Sequence, residues 1–214
     1  VAIATWQNFN DNSPYDERVQ TASGTVTGTS AAWGSAADMT APGTTSYWPR
    51  TAISSGGTVV VMSWTYFNGT SQEVQAVSGT VSSGAVTWGT PATVSTGNSS
   101  IQSLALSAGG TVAVMVWKNA TTTTIDGANG AISGTTATWE VPVAVSAAGI
   151  GYSPPSVATS MFGTNAVAVW GRVVNTVNTV EGGGAPGSSA KNFGKVDDKK
   201  AVAPADRSRA DVSG

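Results

Sequence analysis

The chain of 214 residues contains no cysteine and no histidine. It therefore lacks the residues for a disulfide, a Cys/His zinc site, a thiol nucleophile or a histidine-based triad. Charged residues make up only 10% of the sequence and the net charge is −2, which excludes the basic surface of a nucleic-acid-binding protein. No apolar run approaches the roughly 18 residues of a membrane-spanning helix. We expect no cofactor, no nucleic-acid partner and no membrane insertion.

Glycine, serine, threonine, alanine and valine dominate the sequence, whereas the strong helix formers are scarce. This composition favours strands joined by tight turns, because valine and threonine suit a pleated surface and glycine supplies positive φ. Disorder is disfavoured by the 40% of hydrophobic residues and the eight tryptophans. A low content of charged residues together with a high content of serine and threonine is typical of secreted bacterial proteins. We expect a mature or trimmed chain, secreted or on a cell surface.

The sequence repeats itself with a period of about 53 residues. Residues 57–64, 110–117 and 163–170 begin with Gly-Thr and end in Trp, and residues 1–6 are a shortened fourth copy. The final tryptophans of the four copies are Trp6, Trp64, Trp117 and Trp170. Such self-similarity is the mark of a repeat architecture.

Two further series of residues recur with about the same period. Trp33, Trp88 and Trp139 are 55 and 51 residues apart, and Phe193 follows 54 residues later. The third series is Ser54, Ser107, Ser160 and Ser213, with a constant spacing of 53. Because residues that recur with the fold usually serve the fold, we interpret the repeating tryptophans as packing residues. A sugar site between each pair of repeats is the alternative.

Each period contains four strand-like pieces, which we call a, b, c and d. In the second repeat they are predicted at 50–54, 58–67, 73–81 and 85–95. Glycine-containing turns separate the pieces. Piece b is nearly continuous in apolar residues, as expected of a strand buried on both faces. Four strands in 40 to 50 residues is the pattern of a propeller blade.

The ends of the chain favour a single ring-shaped domain, residues 1–214. The chain begins on piece b and ends on piece a, because residues 209–214 match residues 50–55. Pairing the first strand with the last would complete a fourth blade and close a four-bladed β-propeller. The alternative is a slice of a longer propeller. Residues 191–214 carry ten of the 22 charges, and form either a degenerate, charged last blade or a partly disordered tail.

The strand pattern Gly-Thr-Val-x-Val-x-x-Trp, with its later Thr-Trp-Gly, resembles the repeats of secreted bacterial β-propellers, including lectin-like and sialidase-like ones. The resemblance covers nearly all of residues 1–190. The sialidase Asp-box, Ser-x-Asp-x-Gly-x-Thr-Trp, is not met by residues 82–88, which lack the aspartate. The resemblance implies a fold and transfers no function.

Aromatic residues outside the repeating series fall on one side of the predicted propeller. In this fold the b–c and d–a loops share one face, and all four tyrosines and one tryptophan map to them. Exposed rings with a few polar groups suit the C–H faces and hydroxyls of sugars. Capping of the blades by these rings is the alternative. The predicted ligand-binding residues are Phe9, Tyr15, Arg18, Tyr47, Trp48, Arg50, Tyr66, Phe67, Tyr152 and Arg172.

The first b–c loop is rich in oxygen ligands of the kind that calcium takes. An ordinary turn is the favoured interpretation of this Asx- and Pro-containing segment, and we predict no metal. The weak calcium candidates are Asn10, Asp11, Asn12, Asp16 and Glu17.

Catalysis has little support in the sequence. A glycosidase needs two carboxylates about 5 to 10 Å apart, and Asp16 or Glu17 with Glu73 is the least implausible pair. We therefore expect no enzyme but a non-catalytic extracellular recognition module, most simply one that binds carbohydrate. The alternatives are a structural or protein-interaction module, with an extracellular protein partner or self-association, and a sialidase-like glycosidase.

Overall fold

A computed structural model describes residues 1–9, 16–149, 153–174 and 177–186. Within these ranges every regular element is a β-strand, so the all-β prediction is confirmed. In this part of the chain no helix is long and apolar enough to cross a membrane. The strands of the first repeat are β1 (Ala2–Phe9), β2 (Glu17–Thr27), β3 (Ser30–Trp33) and β4 (Ala37–Asp38).

The later repeats add complete or nearly complete sets of the same strands. The second repeat contains β5 (Thr45–Ile53), β6 (Val59–Phe67), β7 (Gln72–Ser82), β8 (Ala85–Trp88) and β9 (Ala92–Thr93). The third contains β10 (Ser99–Leu106), β11 (Val112–Asn119), β12 (Thr124–Ser133), β13 (Thr136–Trp139) and β14 (Val143–Ala144). The fourth contains β15 (Ser156–Thr159), β16 (Asn165–Val174) and β17 (Val177–Pro186).

Each repeat folds as an antiparallel meander. The second and third repeats follow the orders β5-β6-β7-β8 and β10-β11-β12-β13, and the short strands β9 and β14 add to the c strand. The first repeat begins on its b strand, β1, and the fourth ends in the described residues on its c strand, β17. One parallel pair, Glu17 with Thr45, joins the first and second repeats.

The recurring serine closes the turn between strands a and b. The Ser107 N–H donates to the Val112 carbonyl at 2.8 Å, and the Ser107 hydroxyl accepts the Val112 N–H at 3.0 Å. Ser54 and Ser160 make the same pair of bonds with the residues five positions later. The constant spacing of the series thus has a structural cause. Ser213 lies outside the described residues.

Successive repeats meet through one contact that occurs three times. Gly57, Gly110 and Gly163 have φ of 66°, 73° and 69°. A Cβ on each would lie 3.3 Å from Val1, 2.7 Å from Val59 and 2.6 Å from Val112. These three valines are equivalent residues at the start of strand b. Backbone bonds from Ser55 N to Ala108 O and from Ala108 N to Met161 O link the same turns. The interface between repeats is therefore itself repeated.

The core lies between neighbouring sheets. Trp64, Trp117 and Trp170 are 1%, 0% and 3% exposed. The indoles of Trp64 and Trp170 donate to Gln75 and Glu181 on strand c, directly across the ladder, and that of Trp6 donates to Gln20. In the third repeat the facing residue is the shorter Asp126, and the Trp117 indole N–H has no hydrogen-bond partner among the described residues.

The outer faces of the first and last repeats are not covered in the described part of the chain. Val167 and Val169 on β16 are 57% and 44% exposed, whereas their equivalents in the third repeat, Val114 and Val116, are buried. At the other end Trp6 is only half-buried. The number of blades and the closure of the ring stay predictions. Residues 191–214, including Phe193, lie outside the described residues.

Candidate functional site

Trp48 is an exposed indole on a fixed backbone. The residue is 43% exposed and its φ is 56°, in the left-handed region that a non-glycine residue rarely adopts. The β5–β6 register shifts between Tyr47 and Arg50, which places Trp48 in a β-bulge. The buried Gln102 side chain donates to the Trp48 carbonyl at 2.8 Å and accepts the Thr65 hydroxyl at 3.0 Å. The backbone under the ring is therefore clamped.

The bulge belongs to the repeat, but the indole does not. Ile101, 53 residues after Trp48, also has φ 56° and lies within a register shift, between Ser100 and Ser103. The strained conformation thus serves the fold at both positions. Only the side chain differs, so what Trp48 adds to the second repeat is a large exposed aromatic surface.

The ladders bring the other predicted aromatics of the first two repeats to the same end of the sheets. Phe9 pairs with Glu17, Glu17 with Thr45, and Thr45 with Phe67, which forms one row across four strands. Tyr47 lies two residues further along β5. We call this region, with Phe9, Tyr47, Trp48, Tyr66 and Phe67, the aromatic end.

The rings of the aromatic end differ in their environment. Phe9 is 61% exposed, whereas Tyr66 and Phe67 are half-buried and Tyr66 packs against the core cluster around Trp64. Tyr47 contacts Trp48 edge to face, with centroids 4.7 Å apart and an interplanar angle of 83°. Trp48 and Phe9 therefore offer the accessible surface, while Tyr66 serves packing.

Burial, and secondly the charge of Glu17, raise the pKa of the Tyr47 hydroxyl, and a hydrogen bond with Gln72 partly opposes them. Glu17 also accepts the Gln7 amide at 3.0 Å. Tyr47 is thus connected to the first repeat through Glu17 and to the next b–c turn through Gln72.

Two of the three predicted arginines are engaged by carboxylates. Arg18 binds Asp16 through two nitrogens, at 2.6 and 2.5 Å, and Asp38 at 2.9 Å. Hydrogen bonds that the Arg18 guanidinium donates, first to Asp16 and then to Asp38, raise its pKa. Gln20 and then Arg18 lower the pKa of Asp38. Arg18 is therefore a structural clamp on the loop before β5.

The other two arginines lie apart. Arg172, on β16 of the fourth repeat, pairs with Glu181 at 3.1 Å and donates to the Ala148 carbonyl. Arg50 is exposed, and its guanidinium donates to the neighbouring Pro49 carbonyl at 3.2 Å. The structure does not assemble an arginine cluster in the described residues.

The calcium and glycosidase candidates are partly described. Tyr15 and Tyr152, and the oxygen donors Asn10, Asp11 and Asn12, lie outside the described residues. Among the described residues no group of three or more potential metal-ligating side chains occurs.

The described carboxylates of these candidates already accept hydrogen bonds from the protein. Asp16 accepts from Arg18 and from the Gly43 N–H, and Glu17 accepts from Gln7. Glu73 accepts the Asn68 amide at 2.6 Å and the Thr93 hydroxyl at 3.4 Å. These contacts give each carboxylate a local structural role.

A second feature, a cavity of about 350 Å³, lies between the third and fourth repeats. We call it the third groove, because it follows the third repeat. It is at the start of the b strands, whereas the aromatic end is at their finish. Its polar and aromatic lining residues are Asn129, Thr138, Trp139, Glu140, Phe162, Thr164 and Asn165.

Sequence reasoning reached the third groove only through Trp139, in the alternative of a sugar site between each pair of repeats, and selected none of its other lining residues. It also missed a series of hydroxyls that fasten the d segment to strand c: Thr40, Ser95 and Ser146 accept the N–H groups of Val19, Val74 and Ile125. The signal was present, because each hydroxyl follows the tryptophan of the second series by seven residues.

Comparisons with known proteins give only a weak likeness in fold. No protein-family profile matches the chain, and no curated protein matches it. Among solved structures the chain is similar to TolB from Acinetobacter baumannii, a β-propeller protein, with 11% identity and a TM-score of 0.38. The similarity covers 84% of this chain and 40% of that protein. We base no functional conclusion on a likeness of this size.

Proposed function

We propose that the chain is a non-catalytic recognition module that binds carbohydrate at the aromatic end. The observation that supports this most is the Trp48 indole, large and exposed on a backbone that the Gln102 side chain clamps. A sugar ring stacks its C–H face on such a surface, and the loss of freedom on binding is small when the platform is already fixed.

The charges of the aromatic end favour a neutral sugar. Arg18 is held by two carboxylates, so it is not available for the bidentate recognition of a carboxylated sugar. Glu17, Gln72 and the Tyr47 hydroxyl supply acceptors and donors next to the platform. A sialidase-like activity has the weakest support, because Asp16, Glu17 and Glu73 are bonded within the protein.

A glycan array tests the proposal. The wild-type chain should bind a defined set of neutral glycans, and Trp48→Ala should lose at least tenfold in affinity, since stacking contributes about 1.4 kcal/mol or more. Trp48→Ile is the matched variant, because Ile101 occupies the same conformation in the next repeat. Unchanged binding by both variants would exclude the aromatic end as the site.

The fold that we propose for this function is a four-bladed β-propeller, closed by the pairing of β1 with the C-terminal segment and exposed to the extracellular space. The first support is the glycine–valine contact that recurs at three repeat interfaces. The second is a pair of uncovered sheet faces that could pack against each other, with Val167 and Val169 on one and Trp6 on the other.

A cysteine pair tests closure in a chain without native cysteine. In a closed ring, a bis-maleimide with a spacer of about 10 Å should cross-link Ala4→Cys and Val167→Cys within one molecule, because facing sheets lie about 10 Å apart and the equivalent strands share core clusters at the internal interfaces. Mass spectrometry would detect the cross-link. Cross-links formed only between molecules would contradict the closed monomeric ring.

A structural or protein-interaction module is the second candidate, and the exposed face of Val167, Val169 and Val180 favours it. Equivalent faces inside the array are covered by the next repeat. If this face joins another copy, light scattering should give a mass that rises with concentration, and Val167→Ser should return it to that of the monomer.

A further inference from the structure

Four positions of the third groove depart from the repeat. The third repeat has Glu140 at a position where the first and second repeats have Gly34 and Gly89. The three residues are equivalent because their backbone N–H groups donate to the carbonyls of Asn129, Ser23 and Ser78, respectively. That acceptor position is itself serine in two repeats and asparagine in the third.

The fourth repeat contributes the other two departures. Phe162 stands where the second and third repeats have Gly56 and Gly109, and Asn165 stands where they have Val59 and Val112. All four departing residues, Asn129, Glu140, Phe162 and Asn165, line the same cavity. Residues that repeat serve the fold, so a cluster of departures at one interface indicates a local task.

The fold has no evident need of these side chains. Phe162 is 76% exposed, and at the preceding interface glycine fills the equivalent position without loss of the repeated backbone contact. Gly89 is even required there, since a Cβ would lie 1.8 Å from the Thr135 carbonyl oxygen. Between the third and fourth repeats, the described residues around the equivalent Glu140 line a cavity that carries added functional groups.

The added groups are an aromatic ring, a carboxylate and two amides. The Asn129 amide donates to Glu140 at 3.2 Å, which orients the carboxylate and leaves it further acceptor capacity. Glu140 forms no ion pair within the described residues. The Trp139 indole forms part of the wall. A cavity of about 350 Å³ is at the lower end of small-ligand sites.

We propose that the third groove is a second binding site, which takes one uncharged or amino-bearing sugar residue. Phe162 packs on the sugar ring above the wall to which Trp139 contributes, Glu140, oriented by Asn129, accepts hydroxyl or ammonium protons, and the Asn165 amide bonds a further hydroxyl. A carboxylated sugar is disfavoured, because its charge would face Glu140. The site rests on the proposed carbohydrate function but uses none of the residues of the aromatic end.

The two sites are structurally independent. They lie at opposite ends of the b strands, and eight strand residues span about 25 Å. They also belong to different pairs of repeats, the first with the second and the third with the fourth. One monosaccharide cannot touch both, so each can be removed separately.

Saturation-transfer NMR with a fixed panel of sugars tests the site. The panel contains glucose, galactose, mannose, N-acetylglucosamine and glucosamine, with glucuronic acid as the negatively charged control. Trp48→Ile is the background, which removes the aromatic end. In that background at least one neutral or amino sugar should still bind, and Phe162→Gly and Glu140→Gly should each weaken it about tenfold or more.

Both variants restore residues that other repeats tolerate, so the fold should persist; the melting temperature checks this. Met161→Ala is the matched control, since Met161 is 64% exposed beside Phe162 and alanine stands at the equivalent position 108. It should leave binding unchanged. Equal binding with and without Phe162 and Glu140, or no binding in the Trp48→Ile background while wild type binds, would overturn the second site alone. No binding by the wild type would overturn the carbohydrate function as well.

Discussion

The interface between the second and third repeats and that between the third and fourth share one backbone design but carry different side chains. In both, a glycine of the a–b turn, Gly110 or Gly163, touches the first valine of the preceding b strand. At the first interface glycines then let the turns close tightly, whereas at the second Glu140 and Phe162 line a cavity. The comparison distinguishes the residues that every repeat needs to fold from the residues that only one interface carries.

The sharpest test of this separation contrasts two tryptophans. Trp117→Ala should lower the free energy of unfolding by about 3–5 kcal/mol, because it empties a fully buried site of the repeating series. Trp48→Ala should cost less, about 1–2 kcal/mol, because 43% of this residue is already exposed to solvent. Urea denaturation of both variants measures the difference. Similar losses would remove the distinction between repeating and non-repeating tryptophans.

The shared glycine contact predicts the next largest effect. Gly110→Ala and Gly163→Ala should each cost about 3 kcal/mol, because a Cβ meets the facing valine and the positive φ is also unfavourable. Gly28→Ala is the matched control, with φ 61° and no atom within 4 Å of the added Cβ, and should cost about 1 kcal/mol. Equal values for all three would show that the interface contact contributes nothing.

The turn serine predicts a smaller effect that depends on burial. Ser107 is 1% exposed and its hydroxyl accepts the Val112 N–H, so Ser107→Ala should cost about 1.5 kcal/mol. Ser160 makes the same bond in a more open setting, and Ser160→Ala should cost about 0.5 kcal/mol. Thermal unfolding of both variants measures the two losses of stability. A larger loss for Ser160→Ala than for Ser107→Ala would contradict this prediction.

The smallest expected effect concerns pH. The pKa of Tyr47 is raised in the folded protein, first by burial. The folded state therefore holds this proton more tightly than the unfolded state, so the contribution to stability is present below the ordinary pKa of about 10 and is lost as the pH rises above it. Spectrophotometric titration should show one late tyrosine that disappears in Tyr47→Phe. In Glu17→Gln it should shift only slightly, because the charge of Glu17 is the lesser cause.

Much of the fold could be predicted because the repeat marks its own boundaries. Pieces b and c, predicted at 58–67 and 73–81, are Val59–Phe67 and Gln72–Ser82 in the structure, since glycine turns bound them. Piece a was predicted to start at residue 50, but β5 begins at Thr45. Trp48 and Pro49 concealed the first half, because a proline within a run argues against a strand unless a bulge accommodates it.

The candidate sites were less predictable, for two physical reasons. The ion pair of Arg18 with Asp38 joins strands 20 residues apart, so the sequence showed a free arginine where the fold makes a clamp. The third groove combines strands of two repeats, and its signal was the loss of glycine at positions 140 and 162 rather than a motif. Residues with distinctive chemistry, such as Trp48, could be proposed as site residues from the sequence, whereas residues marked only by their departure from the repeat were not proposed.

The central claim is that the repeating residues build the fold and the departures bind the ligand. Its most direct test is a variant that restores the repeat at three positions together: Trp48→Ile, Glu140→Gly and Phe162→Gly. We expect a cooperative thermal transition within a few degrees of the wild type and no binding on a glycan array that the wild type labels. A folded variant that keeps the wild-type glycan profile would contradict the account.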